Sequence, residues 1–227
     1  MPRKQADCRS QTSINLRIVS SLKQENMIKC NVTACGIIVS SAVEKQNKEG
    51  GKFLAFTIIV PIEGKDKSVK ELHIGVAAEG DQTTAANYQA GRRVTVHGNL
   101  FIKKVEENLY FNLRSEGAIE QNDSSLPDRL EGVMEFKGKI GNKGIETMTS
   151  KKGTSFKVFS AFSSDKDGEN RAFTWVKFIV GKPLDINVNA GEYVEVHGDM
   201  QLDVYKNKLQ IGCRITSVSH WDLKANT

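Results

Sequence analysis

The chain repeats itself over a long period. Ala90-Gly91-Arg92-Arg93-Val94-Thr95-Val96-His97-Gly98 lies over Ala190-Gly191-Glu192-Tyr193-Val194-Glu195-Val196-His197-Gly198 at an offset of 100 residues. The register then holds without a gap, with Leu109 on Leu209, Phe111 on Ile211, Leu113 on Cys213 and Arg114 on Arg214. Solenoid repeats run about 20 to 50 residues, so a period this long reads as a duplicated domain. In a chain of 227 residues, each copy must build its own core from about 100 residues.

Hydrophobic alternation gives each copy its elements. In the second, Val194 and Val196, Leu202 and Val204, and Leu209 and Ile211 alternate with polar neighbours, the period of half-buried strands. Gly198 after the first of these strands suits a bulge or bend. Lys206-Asn207-Lys208 makes the turn, as Glu106-Glu107-Asn108 does in the first copy. Further strands are expected at 31–41, 52–61 and 70–78, and at 133–140, 154–163 and 172–180. A short loop or helix is expected before the final hairpin, at 81–89 and 182–189. Five strands with a helix or loop before the fourth is the order of the OB fold, whose closed barrel removes exposed edges. The expected fold is therefore all-β, two tandem five-stranded OB-fold barrels. Residues 27–121 form the first and 132–227 the second. Polar residues and Pro127 make 122–131 a linker. Residues 1–26 read as a flexible basic arm, because Asp7 and the lack of an Arg-rich face argue against a transit peptide.

Charge alone does not point to a nucleic acid. The net charge is +5, of which residues 1–26 carry +3 and the rest +2, a weak footprint for a nucleic-acid binder. No run approaches the roughly 18 apolar residues of a membrane span, and a soluble, cytoplasmic chain with reduced thiols is expected. Cys8, Cys30, Cys35 and Cys213 have no second Cys/His pair at finger spacing, and Cys213 takes an aliphatic place in the repeat. No metal and no cofactor are expected.

Catalysis has little to stand on. There is no Gly-rich phosphate loop ending in Gly-Lys-Ser/Thr, no HExxH and no GxSxG. Asp165, Asp167, Gly168 and Glu169 resemble a calcium loop, but Thr174 stands where its bidentate Glu belongs, so a hairpin turn fits better. His97 and His197 recur without a Ser, Cys or acidic partner at a shared spacing, as strand-end histidines beside a bend would. Gly36, Gly50 and Gly51 read as turn glycines. A binding protein is expected, not an enzyme.

OB barrels bind single strands by stacking bases on aromatic side chains beside cations that follow the phosphates. Strand neighbours point to opposite faces. If Val176 and Phe178 fill the barrel, Phe173, Trp175 and Lys177 point outward together. If Leu202, Val204, Leu209 and Ile211 point inward, Asp203, Tyr205, Gln210 and Arg214 point outward. Trp175, Lys177, Tyr205 and Arg214 then line one surface, with Lys206 and Lys208 at the turn. Any one of these aromatics is accounted for equally well as half-buried packing, and Phe156, Phe159 and Phe162 are core or barrel-rim candidates. The case rests on aromatics and cations sharing a face. Copy one offers Lys103, Tyr110 and Arg114, with His73 near the position of Trp175 and Val105 at that of Tyr205. Lys52, Lys70 and Lys104 add charge nearby. Copy one should bind more weakly, or serve in assembly.

The run Phe173-Thr174-Trp175-Val176-Lys177-Phe178-Ile179-Val180-Gly181-Lys182, followed by Ala190 to Leu202, resembles the bacterial-type single-stranded DNA-binding protein family. That family carries a Trp-hydrophobic-Gly-Lys block and then a Lys-Gly-x-x-Val-x-Val-x-Gly-x-Leu block. The resemblance covers most of copy two and, more faintly, copy one. It implies an OB fold that sequesters single strands in replication, recombination and repair, with Trp175 and Tyr205 where the family places stacking aromatics. Ser160-Ala161-Phe162-Ser163 resembles the family's second-strand segment, without the stacking Trp that should follow. Members with two OB domains in one chain form dimers, which implies a homodimer here. The chain ends His220-Trp221-Asp222-Leu223-Lys224-Ala225-Asn226-Thr227, without the acidic tail through which the family recruits repair enzymes.

The expectation is sequence-tolerant binding of single-stranded DNA, with RNA not distinguished. Bases stack on Trp175 and Tyr205, and Lys177, Lys206, Lys208 and Arg214 meet phosphates. The alternative is a protein-interaction scaffold without nucleic-acid binding, since OB barrels host several ligand types. Low net charge and the aromatic-poor first copy favour that alternative.

Overall fold

The computed structural model describes residues 27–122, 126–167, 170–181 and 184–222. The expected basic arm, together with Cys8, lies outside them. Strand β1 (Ile28–Gln46) is longer than its hydrophobic pattern announced. Ile28, Cys30, Val32 and Ala34 alternate inward along its first half. There, Cys30–Ile37 pairs antiparallel with β4 (Arg93–Val105). Its second half pairs antiparallel with β2 (Lys52–Glu63). Register shifts between Ile38 and Ser40 and between Ser40 and Val43 bend the strand from one neighbour to the other.

The remaining pairings close a ring. β2 pairs with β3 (Val69–Ala78), β3 runs parallel to β5 (Asn108–Ser115), and β5 pairs back to β4. The short helix α1 (Gln82–Ala85) lies between β3 and β4. Asp81 caps it by accepting from the Thr83 and Thr84 amides at 3.0 Å each, and Ala85 is buried beneath it. The second copy closes the same way through β7 (Arg129–Ile140), β9 (Ser155–Asp167), β10 (Asn170–Val180), β11 (Tyr193–Tyr205) and β12 (Lys208–His220). β7 pairs with β9 and β11, β9 with β10, β10 in parallel with β12, and β12 with β11. Two copies of one five-stranded closure, each with a parallel third–fifth pairing, make this a tandem OB-fold protein.

Some features differ from expectation. The described part of 182–189 is irregular, with no helix. β6 (Glu120–Asn122) adds to β4, and β8 (Glu146–Thr149) forms a hairpin with β9. With β6 ending at Asn122 and β7 beginning at Arg129, strand enters both ends of the segment expected as a linker. Gly50 has φ +83 in the β1–β2 turn, but Gly36 is not a turn glycine. It sits within β1, where a Cβ would stand 2.3 Å from the Ile59 carbonyl oxygen. Gly138 holds the matching place in β7, 2.4 Å from the Phe162 carbonyl oxygen.

The barrels are joined by backbone. Ile28–Cys35 of β1 pairs antiparallel with Arg129–Phe136 of β7, giving one twelve-stranded sheet. One apolar core runs through both barrels, and Phe136 and Phe178, both fully buried, meet edge-on at 4.9 Å. A second junction forms at the β11–β12 turn. Lys206 and Asn207 both have positive φ, 49 and 58, the conformation of a two-residue turn that follows strand twist. Lys70 Nζ donates to the Asn207 carbonyl at 3.0 Å, and Lys65 pairs with Asp203 at 3.4 Å.

Two consequences are testable. Gly138→Ala should cost about 1 to 3 kcal/mol, read as a lower urea midpoint at unchanged slope. A variant as stable as the parent would show that β7 can move away from β9. Burial pushes the Cys30 and Cys213 thiols up to about 12, helped by Cys213 beside Cys30 and by Asp199 beside Cys213. The folded pKa is raised, so their contribution to stability is constant below the ordinary 9.0 and is lost as pH climbs toward 12. At about pH 8 a thiol reagent should leave both unmodified in the native protein and label both after denaturation. Labelling of either in the native state would show an opened core.

Candidate nucleic-acid interface

The outward face of barrel two follows from parity. Thr174, Val176 and Phe178 are buried along β10, so Phe173, Trp175 and Lys177 face out. Trp175 is 52% exposed and Tyr205 56%. Across β9, Trp175 stands opposite Phe162. The two rings lie 4.9 Å apart with planes at 49°, and Phe162 meets Phe173 edge-on at 5.4 Å. Phe162 therefore flanks both exposed rings and holds them from the side. The Trp175 indole also lies against Gly141.

These residues line an open groove of about 1460 Å³ that runs into barrel one. Phe173, Trp175, Lys177, Tyr205 and Lys208 form one side, and Lys70, His73, Lys104 and Tyr110 the other. The contact between Lys70 and the Asn207 carbonyl sits where the sides meet. The two surfaces expected separately thus form one groove. Five lysines, with Lys143 the fifth, face three glutamates in its lining, Glu71, Glu107 and Glu146.

Other expected residues fall outside the groove lining. Arg214 and Arg114 face outward, but each stands four residues along its strand from Gln210 and Tyr110, about 13 Å away at strand rise. Lys103, partly buried, is opposite Tyr110. Lys206 projects from the turn with its amine 5.4 Å from the centre of the Tyr205 ring.

The barrels differ at matching positions. His73 stands opposite Ile59 in barrel one, where barrel two sets Trp175 opposite Phe162. His73 lies 3.9 Å from Glu71, Lys104 pairs with Glu107 at 3.7 Å, and Lys70 is held by Asn207. Among the described residues, Lys177, Lys143 and Lys208 enter no ion pair, so barrel two carries both the rings and the uncommitted cations. His97 shares a 2.8 Å hydrogen bond with Thr33, and His197 lies 3.5 Å from Glu195.

Phe162 was placed with core or rim candidates by sequence. Phe159 is buried, and Phe162, three positions on, has the opposite parity. That mismatch was the available clue. Lys143 carried none, because the loop before β8 had no recognisable pattern.

No protein-family model matches the chain, and no curated protein matches it. Among solved structures, the wild-type single-stranded DNA-binding protein from Thermus aquaticus is similar over 85% of this chain and 93% of its own, at 13% identity and a TM-score of 0.47. A deletion mutant of that protein gives 14% identity and a TM-score of 0.44, over 85% of this chain and 94% of its own. A murine DNA-binding protein bound with double-stranded DNA gives 9% identity and a TM-score of 0.27, over 84% and 96%. The OB assignment above rests on strand pairing.

The support given by Phe162 predicts a spectroscopic change. The chain has two tryptophans, so a Trp221→Phe background leaves Trp175 as sole reporter. There, Phe162→Ala should shift Trp175 emission to the red. Unchanged emission would mean that the indole is held from elsewhere.

Proposed function

We propose that the groove binds single-stranded DNA with little sequence preference. The observation that carries this reading is the pairing of exposed Trp175 and Tyr205 with uncommitted Lys177 and Lys208 in one open groove. Exposed rings offer every base a stacking face, and nearby amines follow the phosphates. An aromatic as large as Trp left half exposed, when the barrel already has Val176 and Phe178 for its core, has no packing role that requires the exposure. Such binding protects single strands during replication, recombination or repair, and two copies of the chain would present four barrels to one strand. This is a binding role, with no chemistry assigned to the groove.

The scaffold reading draws on barrel one, whose corresponding positions are His73 and Ile59 and whose groove lysines, Lys70 and Lys104, are engaged. In the binding reading, barrel one supplies the second wall of the groove and weaker contacts.

The test is a tryptophan-fluorescence titration with oligothymidine of about thirty bases, long enough for two OB sites, beside duplex DNA of equal length and the matching RNA. Quenching by the single strand and not the duplex is expected. With three or four lysines meeting phosphates, log K should fall with log salt at a slope of about −2 to −3. Trp175→Ala should cost about 1 to 3 kcal/mol of binding, and His73→Ala less. Equal losses would refute the asymmetry. No response to any nucleic acid from folded protein would move the scaffold reading to first place, and tighter binding of RNA would change the ligand class.

A further inference from the structure

The row of outward residues in barrel two does not stop at Phe162. Phe162 stands opposite Lys139 on β7, and Lys139 stands opposite Tyr193 on β11. Lys139 Nζ lies 5.6 Å from the centre of the Tyr193 ring, which is 38% exposed. Trp221 follows β12, and its amide donates to the Tyr193 carbonyl at 2.9 Å. Its indole meets Tyr193 edge-on at 6.0 Å. Its Nε1 is buried without a hydrogen-bond partner. Lys137 also approaches Trp221, at 6.0 Å, but is paired with Glu195 at 3.7 Å. Lys139 enters no ion pair among the described residues and is the cation this patch can offer. Three inter-strand steps separate Tyr193 from Trp175, about 14 Å of sheet surface.

Barrel one has the same row with different chemistry. His73 stands opposite Ile59, Ile59 opposite Ile37, and Ile37 opposite Arg93. Arg93 takes the place of Tyr193, and its guanidinium is bound by Asp128, leaving the side chain 13% exposed. That row ends in a closed ion pair, whereas the row in barrel two ends in two rings and a lysine.

Resting on the binding role proposed above, we propose that Tyr193, Trp221 and Lys139 form a second stacking platform, onto which a single strand continues from Trp175 across Phe162. Its ligand is the same strand, so it matters only once the strand outruns the groove. Short strands fill the Trp175 end alone, and longer ones reach Trp221.

The two tryptophans report on the two platforms separately. Trp175→Phe leaves Trp221 as reporter and keeps a ring in the groove, and Trp221→Phe leaves Trp175. Each is titrated with oligothymidine of about four and about thirty bases. Four nucleotides at about 3.4 Å each span about 14 Å, enough for Tyr205 and Trp175 but not for Trp221 as well, and about four is the lower end of one OB site. Trp175 should be quenched by both lengths and Trp221 by the longer alone. Lys139→Gln, on a partly exposed side chain that leaves the fold intact, should weaken binding of the longer strand several-fold more than the shorter. Trp221 unquenched by the longer strand while Trp175 responds overturns the second platform and leaves the groove standing. Silence at both tryptophans overturns the binding role itself. A change in Trp221 emission on dilution without DNA would assign this patch to contact between copies of the chain and overturn the proposal.

Discussion

A strand has two edges, and the first half of β1 leaves neither open. Along one edge it meets β4; along the other, β2 covers only the second half. A lone barrel would therefore expose the backbone of residues 28–35, a row of unpaired donors and acceptors that invites association. β7 takes that row in eight residue pairs from Ile28–Phe136 to Cys35–Arg129. It is the strand of the second copy with the same surplus edge. Each barrel caps the other, and the shared core between Phe136, Met134 and Cys30 fills in behind the joint. The mutual capping also fixes where the second barrel stands.

From that joint the groove follows. With the barrels locked through β1 and β7, the β11–β12 turn reaches β3, where Lys70 holds the Asn207 carbonyl. Two outward faces that parity describes separately become opposite walls of one cleft. Duplication then permitted divergence where the core does not forbid it. Inward positions keep their character across the copies, as in Val94 and Val194, Val96 and Val196, and Leu113 and Cys213. Outward positions change chemistry, from His73 to Trp175, Ile59 to Phe162 and Arg93 to Tyr193. A side chain facing water is free to acquire a ligand because removing it costs the barrel little.

The period-two alternation and the offset of 100 residues made both barrels legible, since burial of one strand face leaves a mark in every second residue. The same alternation located Trp175, Lys177 and Tyr205 on the outside. It gave the face and not the position along it, which is why Arg214 was grouped with Trp175 although it stands well up the strand. The joint left no mark, because β1 and β7 meet through backbone groups that every residue carries. Gly36 was misread because a glycine demanded by close strand approach looks, in sequence, like one demanded by a turn.

The modest net charge is no obstacle to a phosphate-bearing ligand, because screening limits each charge to a neighbourhood of about 8 to 10 Å. What a strand meets is local composition. Several cations on the joined sheet outside the groove are answered where they stand. Arg129 lies 3.5 Å from Glu131, Lys137 lies 3.7 Å from Glu195, and Arg93 is held by Asp128. Inside the groove, Lys143, Lys177 and Lys208 have no such partners among the described residues. A chain can therefore be nearly balanced overall and still offer an unbalanced cleft. In this molecule the unbalanced cations stand beside its most exposed aromatic rings, Trp175 and Tyr205.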